Sequence, residues 1–172
     1  LLVASVGQNV GLAYLSGGLM LDAAAPGPGL DGVLASRIVL FDAFTTNVDR
    51  TARNPNLLEQ QGKLWLIDHG AALYWHHDWD GGLAGADRKF PLVKDHVLLR
   101  WADALPDAAQ WLLAGVDDAT LAASVFDVPA TWLDEDPAAA EARRAGYVAY
   151  LRARREAAQG FVQEAIDARA RL

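Results

Sequence analysis

Asp49 and Asn54 stand five residues apart in a polar stretch that Pro55 interrupts, and Asp68 follows the apolar run Leu64-Trp65-Leu66-Ile67, two residues before Gly70. Two carboxylates and an amide suit one kind of chemistry. Magnesium is a hard cation that takes oxygen ligands, usually a few carboxylates or amides with phosphate oxygens and water. A hydroxyl nucleophile needs a carboxylate to orient it and take its proton. Phosphoryl transfer asks a protein for positioning and charge neutralisation, which such a set provides. A loop of this length can turn Asp49 towards an acceptor and Asn54 back towards a metal. Asp68 closes a hairpin that begins right after the loop, so it returns to the same locus, and Gly70 lets the chain leave at an unusual backbone angle. Taken singly, each residue has an ordinary explanation, because Asp and Asn favour turns and strand ends. Their joint spacing is what points to chemistry.

The elements that must position these residues follow from the hydrophobic pattern. Leu34, Ile38, Phe41 and Phe44 recur at helical spacing and predict a helix from about Val33 to Asn47, with Asp31 as its cap. In that helix Phe41 and Phe44 are expected to be buried anchors. Pro26, Gly27, Pro28 and Gly29 mark the preceding stretch as a loop. Leu57 to Glu59 and Lys63 to Asp68 flank Gln60-Gln61-Gly62, a β-hairpin signature with a glycine available for positive φ. Its second strand is apolar on both faces and is expected to be buried on both sides.

Helical signals dominate afterwards, over Asp95 to Ala104 and Asp107 to Leu113, and from Asp117 or Asp118 towards Phe126. Pro137 follows Asp134-Glu135-Asp136, which is good chemistry for a helix start. Val148, Leu151, Ala158, Val162 and Ile166 form a stripe on a long terminal helix with Gly160 as its weak point. Residues 1–20 read as strand or helix fragments, and Gly81 to Gly85 as a flexible surface loop. The order predicts an α+β fold, mainly α, in one domain over residues 1–172.

The spacing of Asp49 and Asn54 is that of the protein-kinase catalytic loop, and Asp68-His69-Gly70 matches the Asp-Phe-Gly metal motif. The surrounding text, FDAFTTNVDRTARNPNLL from Phe41 to Leu58 and LWLIDHGAALYWHHD from Leu64 to Asp78, resembles the HipA-like kinase family. The resemblance implies a kinase-like C-terminal lobe whose small hairpin carries the metal motif, with ATP and Mg2+ as cofactors. It implies Asp49 as catalytic base, Asn54 and Asp68 as magnesium ligands, and Asn56 as a residue that steadies the loop or touches a phosphate. Arg50 fits the family's Asp-Arg pair, while Thr51 departs from the histidine that often follows. The acceptor is expected to be a hydroxyl, on a protein Ser or Thr or on a small molecule.

Other features bound the reading. A net charge of −7 leaves no generally basic surface for nucleic acid. The arginines from Arg143 to Arg171 alternate with Glu156, Glu164 and Asp167, the pattern of a solvated, salt-bridged helix face. Absence of cysteine removes disulfides and thiolate zinc sites and is compatible with a cytoplasmic setting. No apolar run reaches the ~20 residues of a membrane span. His76, His77 and Asp78 are potential ligands, but neighbours in sequence point in different directions, so a surface turn is expected there. His69 is expected to pack or hydrogen-bond near the site rather than act as a base.

Of the three lysines, Lys63, Lys89 and Lys94, none precedes the catalytic loop, and Gly7, Gly11, Gly17 and Gly18 form no phosphate-binding pattern. The nucleotide-holding lobe is therefore expected to be missing or truncated, with Leu1 an internal position of a longer protein. The fragment alone is expected to be inactive. The competing reading is a non-catalytic kinase-like binding module.

Overall fold

Asp31 starts the first helix, its carboxylate accepting the Leu34 N–H at 2.7 Å. This helix, α1 (Gly32–Thr45), ends where Thr46 turns left-handed at φ 55°. The computed structural model describes residues 6–27, 29–79 and 83–172. Among them the fold is α+β and mainly helical, with one small antiparallel sheet. Ile38, Val39, Leu40, Ala43 and Phe44 are all buried, so α1 is the central element of the core. It packs against α2 (Leu105–Gly115) and α6 (Ala158–Arg169). Ser36 fastens it further, accepting the Ala104 N–H at 2.9 Å.

The two phenylalanines separate. Phe44 is 5 % exposed and meets the Phe161 ring at 6.4 Å, whereas Phe41 is 37 % exposed and is not a buried anchor. Phe41 lies on the side of α1 facing His69, its ring edge-on at 6.1 Å. Phe44→Ala is therefore expected to lower unfolding free energy by about 3–5 kcal/mol and Phe41→Ala by clearly less. Urea denaturation of both variants checks the order.

The sheet runs β1 (Leu19–Met20), β2 (Leu57–Gln60), β3 (Lys63–Leu66), each neighbouring pair antiparallel. Gln61 and Gly62 join β2 to β3 with φ of 51° and 73°. Both central residues thus take the positive φ of a two-residue type I′ turn, which matches the twist of the strands. The strand after this turn is not buried on both sides. Leu64 and Leu66 pack on the core while Lys63 and Trp65 are exposed. The sheet is a single layer with one face on the core, so alternate residues face outward. Met20, Leu58 and Trp65 lie opposite one another in register and form an apolar row on that outer face.

The C-terminal half is α2, α3 (Asp118–Phe126), α4 (Ala130–Leu133), α5 (Pro137–Glu156) and α6. Asp117 and Asp136 cap α3 and α5, accepting the N–H of Thr120 and Ala139. Two expectations need correction. Over Asp95 to Ala104 there are only 3-10 turns, Pro91–Asp95 and Leu99–Trp101. His96 is instead extended, bridges to Thr51, and is followed by Val97 donating to the Arg50 carbonyl at 3.0 Å. Pairing with the loop after α1 overrides the local helical spacing. The terminal helix breaks at Ala157 rather than weakening at Gly160, and the break folds α6 so that Phe161 enters the core.

The arginine-rich face is salt-bridged at its surface, with Arg143 on Asp134 and both Arg152 and Arg155 on Asp118. Arg154, however, is buried at 1 % exposure. Of the expected Gly81 to Gly85 loop, residues 81–82 lie outside the described residues, and Leu83–Gly85 form a 3-10 turn. Among the described residues no helix is long and apolar enough to cross a membrane.

Candidate active site

The loop after α1 is closed by its own backbone. Thr51 and Asn54 exchange two N–H to carbonyl bonds at 3.1 Å each, and Thr51 also donates to the Asp49 carbonyl at 2.9 Å. This tight reversal carries Asn54 back beside Asp49, whose Oδ2 accepts from Asn54 Nδ2 at 2.7 Å. Asn56 sits at the base of β2, buried and left-handed at φ 49°, a conformation Asn tolerates better than most residues. Its Nδ2 lies 3.4 Å from Asp49 Oδ2 and 3.4 Å from the Asp68 carbonyl. Its own carbonyl accepts the Ile67 N–H at 3.0 Å. One residue therefore joins the loop to the chain leaving the hairpin.

Asp68 is exposed and itself left-handed at φ 49°. Gly70 is not the residue with the unusual angle; its N–H donates to Asp68 Oδ1 at 3.3 Å. An uncommon backbone state in a non-glycine residue costs on the order of 1–3 kcal/mol and persists only when its surroundings impose it. Here the Ile67 pairing to Asn56 on one side and the turn at Gly70 on the other impose it.

Beneath this layer lies a residue that the helical spacing did not flag. Asp42 is fully buried on α1, and four side-chain donor contacts converge on it. Asn47 Nδ2 donates at 3.0 Å, Arg50 Nε at 2.5 Å, Arg50 Nη2 at 3.4 Å and His96 Nε2 at 2.9 Å. Leu98 N–H donates to His96 Nδ1 at 3.0 Å, which fixes the histidine proton on Nε2. Burial opposes ionisation of Asp42, but the hydrogen bonds from His96 and Arg50, with the Arg50 charge, outweigh it and hold its carboxyl below the ordinary value. Arg50, also fully buried, continues upward to the Asn56 carbonyl and lies 3.4 Å from His69 Nδ1. A single guanidinium thus ties α1, the loop, the hairpin base and the Asp68-His69-Gly70 segment together. The signal in the sequence was Asp42 itself, four residues after Ile38 on the predicted core face of α1.

The donor chemistry of the upper layer fits magnesium. Asn54 commits its amide nitrogen to Asp49, which leaves the oxygen end that a hard cation takes, and Asp68 contributes an exposed carboxylate. Among the described residues no group of three or more His, Asp or Glu stands placed to hold a metal. Oxygen donors from phosphate and water must complete such a site, as magnesium sites commonly require. His76 and His77 lie in a 3-10 turn with their Nε2 atoms 3.1 Å apart. Burial and the neighbouring His77 hold His76 below its ordinary pKa.

Comparison with protein-family models finds no match to this chain, and comparisons with curated proteins and with solved structures find no significant match either.

Proposed function

We propose that this chain is the catalytic lobe of an ATP- and Mg2+-dependent phosphotransferase of HipA-like type, acting on a hydroxyl acceptor in the cytoplasm. The observation that carries the reading is the convergence on Asp49. Residues 54 and 56, from the far side of the loop and from the hairpin base, both turn amide nitrogens to its Oδ2, and residue 56 also contacts residue 68. Spacing alone did not require that meeting.

In this reading Asp49 orients the acceptor hydroxyl and receives its proton, a role for which its half-buried carboxylate needs hydrogen-bond reach to the substrate. Asn54 and Asp68 hold the cation through oxygen, and Asn56 fixes the distance between loop and hairpin. Magnesium, when bound, neutralises charge on the transferring phosphates. The likeness to HipA-like kinases supports a protein Ser or Thr as acceptor.

Thermal melting of the full natural chain with and without Mg-ATP tests the cofactor set. A ligand at a hundredfold its Kd stabilises by about 2.7 kcal/mol, an easily read shift. The expected result is a rise in Tm for the wild type and none for Asp68→Ala. Equal melting temperatures with and without Mg-ATP in the wild type would defeat the magnesium role and favour a binding module without chemistry.

A further inference from the structure

A cavity of about 190 Å3 opens beside the segment that follows α1. Its walls include Thr46 and Val48, the latter next in sequence to Asp49, and the aromatic rings of Trp75 and Tyr150. Three cations complete it: Arg88, Lys89 and Arg154. We propose that this cavity binds a phosphomonoester carried by the acceptor, so that the enzyme selects a hydroxyl flanked by phosphate. The word acceptor rests on the phosphotransfer reading; the anion site does not.

The charge balance of the cavity is the first argument. Arg154 is buried, and its guanidinium meets neutral carbonyls and the face of the Phe161 ring, 4.6 Å from the ring centroid, but no carboxylate. Its Nη2 donates to Ala43 at 2.7 Å, and its Nη1 donates to Ala86 at 3.2 Å and to Arg88. Among the described residues no carboxylate stands within ion-pair distance of Arg154, Arg88 or Lys89, although Asp87 lies near enough for Arg154 to feel its charge. Burial lowers the Arg154 pKa against the opposing pull of Tyr150 and Asp87. A buried cation without an anion is costly, and proteins retain one where something neutralises it. In a chain of net charge −7 this concentration of positive charge is local, not general.

Unspent hydrogen bonding is the second argument. Arg154 Nε and Trp75 Nε1 are buried without a partner in the same walls. Because the Arg154 fork is committed to carbonyls, it supplies potential while exposed Arg88 and Lys89 are positioned to make the contacts. Burial pushes the Tyr150 hydroxyl above its ordinary pKa, so it keeps its proton. The volume admits a phosphate with a short carbon stem.

The test is a 31P NMR titration of the protein with O-phosphoserine and, separately, inorganic phosphate, at constant ionic strength and without nucleotide or magnesium. O-phosphoserine should bind saturably, and Arg88→Gln with Lys89→Gln should weaken it about tenfold or more, the loss of charge-assisted hydrogen bonds. Asp49→Ala should bind as the wild type does, so failure of the phosphotransfer reading would leave this result standing. No saturable binding of either probe, or equal binding by the double variant, would overturn the site. Inorganic phosphate binding as tightly as O-phosphoserine would overturn the assignment to an acceptor, since nothing beyond the phosphate would then be recognised.

Discussion

Asp42→Asn is expected to destabilise the protein by about 3–5 kcal/mol, the range seen when one partner of a buried ion pair is removed. The variant keeps the volume but loses the charge, so buried Arg50 is left without its anion. The His96 Nε2–H and the Asn47 amide also lose part of their acceptor. For a chain of this length each kcal/mol moves Tm by roughly 2–4 °C, so the expected fall is on the order of 10 °C. The pH dependence carries the same sign. The folded-state pKa of Asp42 lies below its unfolded value. Its contribution is therefore fully present above the ordinary carboxylate range and disappears as pH falls through the depressed folded value. Urea denaturation from neutral to acid pH should show the wild type losing more stability across that window than Asp42→Asn. A variant within about 1 kcal/mol of wild type at neutral pH would mean that water, not Asp42, satisfies Arg50.

This dependence explains what the sequence disclosed and what it hid. The helix before the loop and the two-residue turn at Gln61-Gly62 were legible because local signals and tertiary structure agree there. The Asp31 cap, the apolar spacing from Leu34 to Phe44 and the glycine each act within a few residues. The extended backbone at His96 was not legible, because its partner is Thr51, far back in sequence. A helical pattern over Asp95 to Ala104 could not announce that Arg50 would take Val97 as a partner. The same holds for Asp42. Its type and position are visible, but its meaning depends on Arg50 and His96 reaching it from two other segments. Trp65 failed for a simpler reason. An apolar run does not say whether a second layer covers it, and among the described residues none does.

The upper layer of the site was legible as a set of residues and only partly as an arrangement. Spacing placed Asp49, Asn54 and Asp68 near one another, but it carried no sign of how Asn56 joins them. The geometry gives Asn56 the contact to both sides, because its left-handed backbone turns the amide inward while its carbonyl still pairs with Ile67. The unusual angle assigned to Gly70 falls on Asp68 for a related reason. The chain must turn as soon as β3 pairing ends, and Asp is among the residues that tolerate positive φ.

Asp49→Ala in the full natural chain is expected to lower the rate of phosphate transfer by roughly 10²–10⁴-fold, the usual contribution of a general base. Its effect on stability should be small by comparison with Asp42→Asn. Asp49 is half-buried, and the amides it releases differ in environment: Asn54 can turn to water, whereas Asn56 is buried and still has the Asp68 carbonyl. The loss of one partly satisfied donor contact costs about 1 kcal/mol. In the proposed mechanism this division between layers separates catalysis from architecture. Asp42 and Arg50 form a neutralised pair out of reach of solvent, so they set the loop's shape and take no proton from a substrate. Asp49 faces outward from that support, so its removal should leave the loop closed by Thr51 and Asn54 and silence only the chemistry. Transfer rates and melting temperatures of the two variants, measured side by side, decide it. An Asp49→Ala protein that transfers phosphate at the wild-type rate would return Asp49 to ordinary turn chemistry and remove the base from the proposed mechanism.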